Sequence, residues 1–584
     1  EIQKINDFVW DRRMFQAWRR SFPDSEVLKK YDSVVSVPVS EAIVDFEEKQ
    51  PDPIKRLGLV NSVDIEEMHK YWPLLELKTD NDVFAAQLEF LKVDGLQILP
   101  KQQRIYPFGT VAAQTIGWVG PATQQQDKEL FANDRLLSYV GGELCGREDG
   151  VEYVCETVLR GRRGELVQDI DQQVISRTET KFGRDVSLTL DIELQQRIED
   201  YLTHYKHDPN CGPGMAAVVI DVGTRDILAL VSMPVFDLNA VRYNYDRLIS
   251  DPDQPLMNRA INKQYPPGSS VKPLILIAGL ESGKITPDEI ISCPAQKSPR
   301  GWPSCWVYNR YNQGHDSKWK DSGGNSAHNA IKGSCNIYFS RLADRIDPLF
   351  LQQWLFKFGY GRRINFTLAF VREESADPTL QESNAIHNTP DAMRDLRQVI
   401  GVISSSIPED EISNFEQLPP LKEGERRFFG IGQGNLRVTP LQVANAMAAI
   451  ARGGFYEPPR LFLEGSQEPA SITESTTEHR ASLVRRSFSE GGSIENRESS
   501  IYLNISPQNL AVIYDGMSAV VNEPGGTAYA EFAPVLANLA GQGIKVYGKT
   551  GSTEAPENAW FAGFATDSAG RSIAIAVVVE GGQH

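Results

Sequence analysis

The segment Tyr265–Lys284, YPPGSSVKPLILIAGLESGK, constrains this chain more than any other. Two prolines and a glycine end an extended approach, and the residues after them predict a helix. Val271, Leu274, Ile275, Ile277 and Ala278 supply its apolar face, and Gly283 stands where a helix stop is expected. Ser269 falls at the first turn and Lys272 follows three residues later, a spacing that puts hydroxyl and amine on one helix face. A serine hydroxyl becomes a good nucleophile when a neighbouring base takes its proton, and a lysine in apolar surroundings can be neutral enough to do so. The helix N-terminus adds N–H groups for a developing oxyanion. Ser-x-x-Lys is nevertheless a common pattern. A second copy, Ser317 and Lys320, lies in a polar, glycine-rich run with no apolar helix after it and is set aside.

With 584 residues the chain is too long for one ordinary core, so two or more domains are expected. Its 41% hydrophobic content marks a folded protein. The 60 basic against 77 acidic residues, a net charge of −17, argue against a general nucleic-acid binder. No apolar run approaches the roughly 20 residues of a membrane-spanning helix. Residue 1 is Glu, so an upstream anchor is expected to have been removed. Cys145, Cys155, Cys211, Cys293, Cys305 and Cys335 are too few for a disulfide scaffold and show no CxxC spacing.

In chain order, Phe15–Arg20 and Ile65–Trp72 predict short helices and Val34–Phe46 a strand. Arg104–Gly120 and Gly150–Glu165 each predict a helix closed by glycine, and by themselves imply only packing and turns. Asp185–Leu202 switches from strand to helix at Asp191, a plausible cap. Met215 onward predicts a hairpin turning at Gly223–Asp226. Two apolar strands, NAWFAGFATD and RSIAIAVVVEGG, end the chain. Strands at both ends of a mostly helical stretch predict an α+β domain with an antiparallel sheet. Thr439 and Pro440 read as cap and first position of another helix, and Glu464–Ser500 as a Ser/Glu-rich surface loop.

Three short pieces complete the pattern in order: Ser269-x-x-Lys272, Ser334-Cys335-Asn336 at a turn before a helix, and Lys549-Thr550-Gly551 on a strand before the last two. S-x-x-K, S-x-N and K-T-G in that order mark serine β-lactamases and penicillin-binding proteins. With the flanks YPPGSSVKP, SCNIYF, GIGQG…VTPLQVANAMAAIA and KTGST…AWFAGF, residues from about 185 onward resemble the transpeptidase domain of class B high-molecular-weight penicillin-binding proteins. RIYPFGTVAAQTIGWVG and GVE…LRGRRGE resemble that family's linker; the first hundred residues carry no readable match.

The resemblance implies an elongated mixed α/β pedestal and linker over 1–184. It implies a transpeptidase domain over 185–584, a five-stranded antiparallel sheet with helices on both faces plus an all-helical part. It also implies that Ser269 attacks the carbonyl between two terminal D-alanines of a peptidoglycan stem peptide, with Lys272 as base. Backbone N–H groups of Ser269 and Ser552 would form the oxyanion hole. Ser334 would relay a proton to the leaving D-alanine, Asn336 would hold Lys272 and the substrate amide, and Lys549 would supply positive potential. Thr550, Gly551, Ser552 and Thr553 would line the subsite of the substrate carboxylate. β-Lactams would acylate the same serine. The implied setting is the outer face of the cytoplasmic membrane, with an N-terminal anchor, a membrane glycosyltransferase and an elongation or division complex as partners, and no nucleic acid.

The family commonly has Thr-Ala after K-T-G, where this chain has Ser552-Thr553. Some members of the elongation branch bind zinc through the cysteine of the S-x-N triplet with Asp and His upstream. Cys335 fits that position and Asp316 or His315 could contribute, but His328 is closer than such a site suggests. The reading taken is a buried free thiol, with no metal and no cofactor. A serine β-lactamase or carboxypeptidase and a non-catalytic penicillin sensor are the alternatives.

Overall fold

The computed structural model describes residues 2–582 except 32–35, most of 69–79, 91–103 apart from 98, 123–135, 138–142, 148, 170–172, 206–211, 213, 365, 367–395, 408–414, 464–499 and 555. The loop expected at Glu464–Ser500 and Cys211 thus lie outside the described residues, Ser500 apart. The chain divides into two compact units, Glu1–Gln103 and Arg104–His584.

The first unit is helical where described. Helices Ile2–Ser21, Val39–Lys49 and Pro53–Asn61 bury Phe15, Trp18, Ala42, Phe46 and Val60 together. The indole N–H of Trp18 donates to Asp45 Oδ2 at 2.6 Å, which satisfies a polar atom that would otherwise be lost in that core. The strand expected over Val34–Phe46 is corrected by the helix Val39–Lys49. Ala42 and Phe46, four apart, face one core, and Pro38 opens the helix as its N-cap residue.

In the second unit the sheet has five antiparallel strands: β1 (Met215–Asp221), β2 (Ile227–Met233), β3 (Lys545–Glu554), β4 (Glu557–Thr566) and β5 (Ser572–Glu580), in spatial order β2-β1-β5-β4-β3. The chain's last two strands therefore lie between its first hairpin and β3. β1 reads as a continuous apolar run because both its faces are covered. Met215, Ala217 and Val219 face Leu202 of helix α1 (Ile192–Tyr205), while Ala216, Val218 and Ile220 join the main core. Asp191 caps α1 as expected, its Oδ1 accepting from the backbone N–H groups of Glu193 and Leu194.

The main core is built around helix α2 (Lys272–Glu281), in which every residue from Lys272 to Leu280 is buried. That is an all-round burial, where the sequence had predicted a single apolar face. Against it pack α3 (Ala327–Lys332), α4 (Asn336–Arg345) and α6 (Pro507–Asn522), with α7 (Tyr529–Gly541) lying on α6 and α5 (Pro440–Ala451) on the sheet. α5 opens with a complete capping box between Thr439 and Gln442, then crosses β5, β1 and β4. The stretch around Ala112–Gln114, before α1, is bonded into this unit. The amide of Gln114 donates to the carbonyls of Pro234 and Pro255, and the backbone N–H of Ala112 donates to Glu199.

Candidate active site

Ser269 stands in a single 3-10 turn, Gly268–Val271, that runs directly into α2. In a 3-10 turn residues three apart eclipse, so Ser269 and Lys272 share a face as their spacing predicts. Neighbours hold this turn from three directions. Tyr265 exchanges both backbone hydrogen bonds with Val438, and the N–H of Gly268 donates to the Gly432 carbonyl at 2.9 Å. The indole N–H of Trp560 on β4 donates to the Pro266 carbonyl at 3.1 Å. On the third side β3 lies so close that a Cβ on Gly268 would come within 2.7 Å of the Ser552 carbonyl oxygen. A side chain is excluded there, and the main chains of Ser269 and Ser552 are brought side by side.

Behind the serine, Lys272 is fully buried. Its Nζ donates to the Ser334 carbonyl (2.9 Å), the Ser334 hydroxyl (3.1 Å) and Asn336 Oδ1 (2.8 Å). Lys549, equally buried, donates to the same Ser334 hydroxyl at 2.9 Å and to the carbonyl of Thr550. Burial pushes the Lys272 ammonium down to about 7. Burial and then the Lys272 charge hold Lys549 well below the usual lysine range. With both lysines donating to its oxygen, the Ser334 hydroxyl proton is left to point elsewhere. Ser334 has φ of 54°, a left-handed conformation that costs a serine energy. α4 begins two residues later, and the Asn336 amide is fixed by donating to the Ser304 carbonyl at 3.0 Å.

On β3, Thr550 is buried, and its hydroxyl lies 2.6 Å from that of Thr527 in the turn between α6 and α7. Gly551 passes within 3.1 Å of the Ser270 nitrogen, measured from the Cβ it lacks. Ser552 is exposed. Thr553 differs from the sequence expectation. Its hydroxyl donates to the Pro556 carbonyl and accepts from the Asn558 amide at 3.0 Å, so it closes the β3–β4 turn and is not offered to a ligand. The decoy Ser317 donates to the Gly314 carbonyl, within its own turn.

Three motifs separated by up to 280 positions thus converge on one hydroxyl. The family description "Penicillin binding protein transpeptidase domain" matches residues 215–584, more than half of the chain. The chain belongs to the penicillin-binding protein transpeptidases. A second description, "Penicillin-binding Protein dimerisation domain", matches residues 25–188, and the pair places it among the class B high-molecular-weight members. The chain is 26% identical over 479 residues to peptidoglycan D,D-transpeptidase MrdA of Escherichia coli, covering 79% of this chain and 64% of that protein's length. It is 28% identical over 523 residues to MrdA of Acinetobacter baumannii, covering 87% and 68%. Pseudomonas aeruginosa PBP2, solved in complex with WCK 5153, superposes with a TM-score of 0.56 at 25% identity, covering 82% of this chain and 86% of that one. Helicobacter pylori PBP2, solved with MreC, superposes at 0.62 and 20% identity, covering 93% and 88%, and shares the fold.

Beside Lys272 and Lys549 this penicillin-binding protein carries a group of thiols that no motif of the sequence brings together. Cys293, His315 and Cys335 are buried, with their ligand atoms all within 4.8 Å of one another. Cys305 Sγ lies 3.3 Å from His315 Nδ1, and Cys293 Sγ lies 3.5 Å from it. The other ring nitrogen, Nε2, is 3.0 Å from the Gly333 carbonyl, which can only accept, so Nε2 carries a proton and Nδ1 faces the sulfurs. Cys335 Sγ accepts from the Asn325 amide and the Tyr338 N–H. Burial opposes ionisation of Cys335, but its hydrogen bond with Cys293 and the His315 charge outweigh it and hold the thiol well below its usual range.

Three thiols and an oriented imidazole are the donor set of a closed, four-coordinate zinc site. Cys335 is a buried free cysteine, as read from the sequence, but it is not isolated, and the zinc that the elongation-branch resemblance implies fits the residues around it. Asp316 is not among the donors: its Oδ1 accepts from the Cys293 backbone N–H and its Oδ2 from Ser292. His328 is occupied elsewhere, between Asp515 and Glu523. Cys293 and Cys305 lie 12 positions apart, far from any zinc-finger spacing, so only the fold unites them.

Proposed function

We propose that this protein is a peptidoglycan D,D-transpeptidase that cross-links stem peptides through an acyl-enzyme on Ser269 and is acylated by β-lactams at the same atom. The observation that carries this is the convergence of Lys272 and Lys549 on Ser334 Oγ, immediately behind the Ser269 turn. A lysine with its acid constant near 7 is part-neutral at physiological pH. Neutral, it keeps two donors for Ser334 and Asn336 and has a lone pair free for the Ser269 proton. Ser334 then passes a proton towards the leaving D-alanine. Asn336 holds Lys272 and the substrate amide. The N–H groups of Ser269 and Ser552 receive the oxyanion, a contribution of about 3 kcal/mol in comparable sites. Lys549 adds positive potential, and Thr550, with Gly551 and Ser552, receives the terminal carboxylate.

In this reading residues 1–184 are the non-catalytic pedestal and linker, and 185–584 the transpeptidase domain. Zinc bound by Cys293, Cys305, His315 and Cys335 would supply a structural cross-link, and Cys335 would carry that rigidity to Ser334 and Asn336 on either side of it. No described helix is long and apolar enough to cross a membrane. The proposed setting is the outer face of the cytoplasmic membrane, anchored by a helix outside this sequence, in a complex with a membrane glycosyltransferase. A scaffold of the MreC kind, present in the H. pylori structure, is the first partner to test.

A fluorescent penicillin tests the assignment. Stable labelling that is lost in Ser269→Ala supports it. Rapid turnover of the label would make the protein a β-lactamase. Labelling without cross-linking of a stem-peptide donor to an amine acceptor would make it a carboxypeptidase or a sensor. Absence of labelling in the intact chain would overturn all of these.

A further inference from the structure

We propose that Thr527 is a positioning residue for the carboxylate subsite: it gives its proton to Thr550 and so aims the Thr550 hydroxyl at the ligand. The inference rests on the reading of Thr550 as a carboxylate grip.

The two hydroxyl oxygens are 2.6 Å apart and can share only one proton. A carboxylate only accepts, so Thr550 grips it only by donating its own hydrogen. If Thr550 spent that hydrogen on Thr527, it would have nothing to offer the ligand. The arrangement works when Thr527 is the donor and Thr550 the acceptor. Thr527, half-buried, has no role in the bond chemistry proposed for Ser269 and Lys272.

Its own placement is built into the fold. The turn after α6 runs through Gly525 at φ of 86°, and the Gly526 N–H donates to the Glu523 carbonyl. The backbone N–H of Thr527 donates to the carbonyl of Lys332, the last residue of α3. The Lys332 ammonium returns to Glu523 at 2.6 Å, closing a loop of bonds around the turn. Lys332 stands two residues before Ser334, so Thr527 is tied at once to the Ser334 turn and to β3.

The test compares second-order acylation of the full chain by benzylpenicillin and by its methyl ester, which lacks the charge. Thr527→Val is expected to slow the acid about tenfold, the scale of one hydrogen bond to a charged group, and to leave the ester within about twofold. Thr527→Ser, which restores a hydroxyl, should recover the acid rate. Thr550→Val should lower the acid-to-ester ratio similarly, and the double variant should show little further loss, as expected for two parts of one device. Equal slowing of acid and ester in Thr527→Val, or slowing of neither, overturns the inference while the Thr550 reading stands. An unchanged ratio in Thr550→Val overturns both. Should Thr527→Val fail to fold, Thr527→Ala is judged by the same ratio, and Thr527→Ser must still match the parent.

Discussion

Lys272 and Lys549 donate to one and the same hydroxyl oxygen, that of Ser334, at 3.1 and 2.9 Å. Two fully buried ammonium groups sharing an acceptor repel, and since Ser334, Asn336 and Thr550, their hydrogen-bond partners among the described residues, carry no carboxylate, the balance favours a neutral amine on one of them. Lys272 sits beside the serine and titrates near 7. Because its folded value is lowered, the neutral, basic form grows as pH rises. Acylation by penicillin should therefore climb about tenfold per unit below pH 7 and level off above it. Lys272→Arg, which stays charged at every accessible pH, should cost roughly 10²–10⁴-fold with no recovery at high pH. A flat rate profile between pH 5 and 8 would remove Lys272 from the base role.

Gly432 should tolerate no side chain. It has φ of 72°, and a Cβ there would fall 1.9 Å from the Gly268 carbonyl oxygen, on the backbone next to Ser269. Gly432→Ala must displace that turn, and a shift of even 1 Å at a nucleophile costs about 100-fold. Acylation should fall by at least that factor, with a loss of about 3 kcal/mol in stability by denaturant titration. Parent-like rates in a folded variant would mean that the turn is not held from this side.

The thiol cluster predicts one tightly held metal ion per chain when the protein is folded with zinc. Cobalt substituted for zinc reports the thiolates directly, through sulfur-to-metal charge-transfer absorption. Its intensity should drop stepwise in Cys293→Ser, Cys305→Ser and Cys335→Ser. Each loss should weaken binding by more than the roughly 10–100-fold that removal of an outer hydrogen-bond partner costs. Chelation should lower the melting temperature. An absorption unaltered by Cys305→Ser would exclude that residue from the donor set.

Glu199 predicts a pH effect on stability independent of the site. Buried on α1, it accepts from Ala112 N–H and Gln195, yet burial raises its carboxyl to about 7. The raised folded value means that the folded state binds the extra proton. The stabilisation is complete below about 4.5 and is lost as pH rises through 7. Glu199→Gln keeps the acceptor without the charge. It should melt at higher temperature than the parent at pH 8, by roughly 1–3 kcal/mol in stability, and match it at pH 5. A gain of equal size at both pH values would point to packing instead.

Local rules sufficed wherever a feature is written into neighbouring residues. Asp191 before α1, Thr439-Pro440 before α5, and the apolar runs of β1 and β5 are decided over a few positions, by capping and by strand-length hydrophobic stretches. The Ser-x-x-Lys, Ser-x-Asn and Lys-Thr-Gly pieces were legible for the same reason. The short segment Val34–Phe46 misled, because β-branched residues favour strand while the Ala42–Phe46 spacing and a shared core favour helix.

Other properties belong to no stretch of chain. The Lys272 ammonium is held near 7 only because α2 is buried on every side, which its apolar sequence permits but does not compel. The thiol cluster gathers Cys293, Cys305, His315 and Cys335 from turns and helix ends with no common spacing. Thr527 reaches Thr550 only because the α6–α7 turn is bonded to the end of α3. The order of residues says which groups are available and in what succession they come. Tertiary structure decided which are desolvated and which meet, because burial and contact between distant segments depend on how the whole core closes.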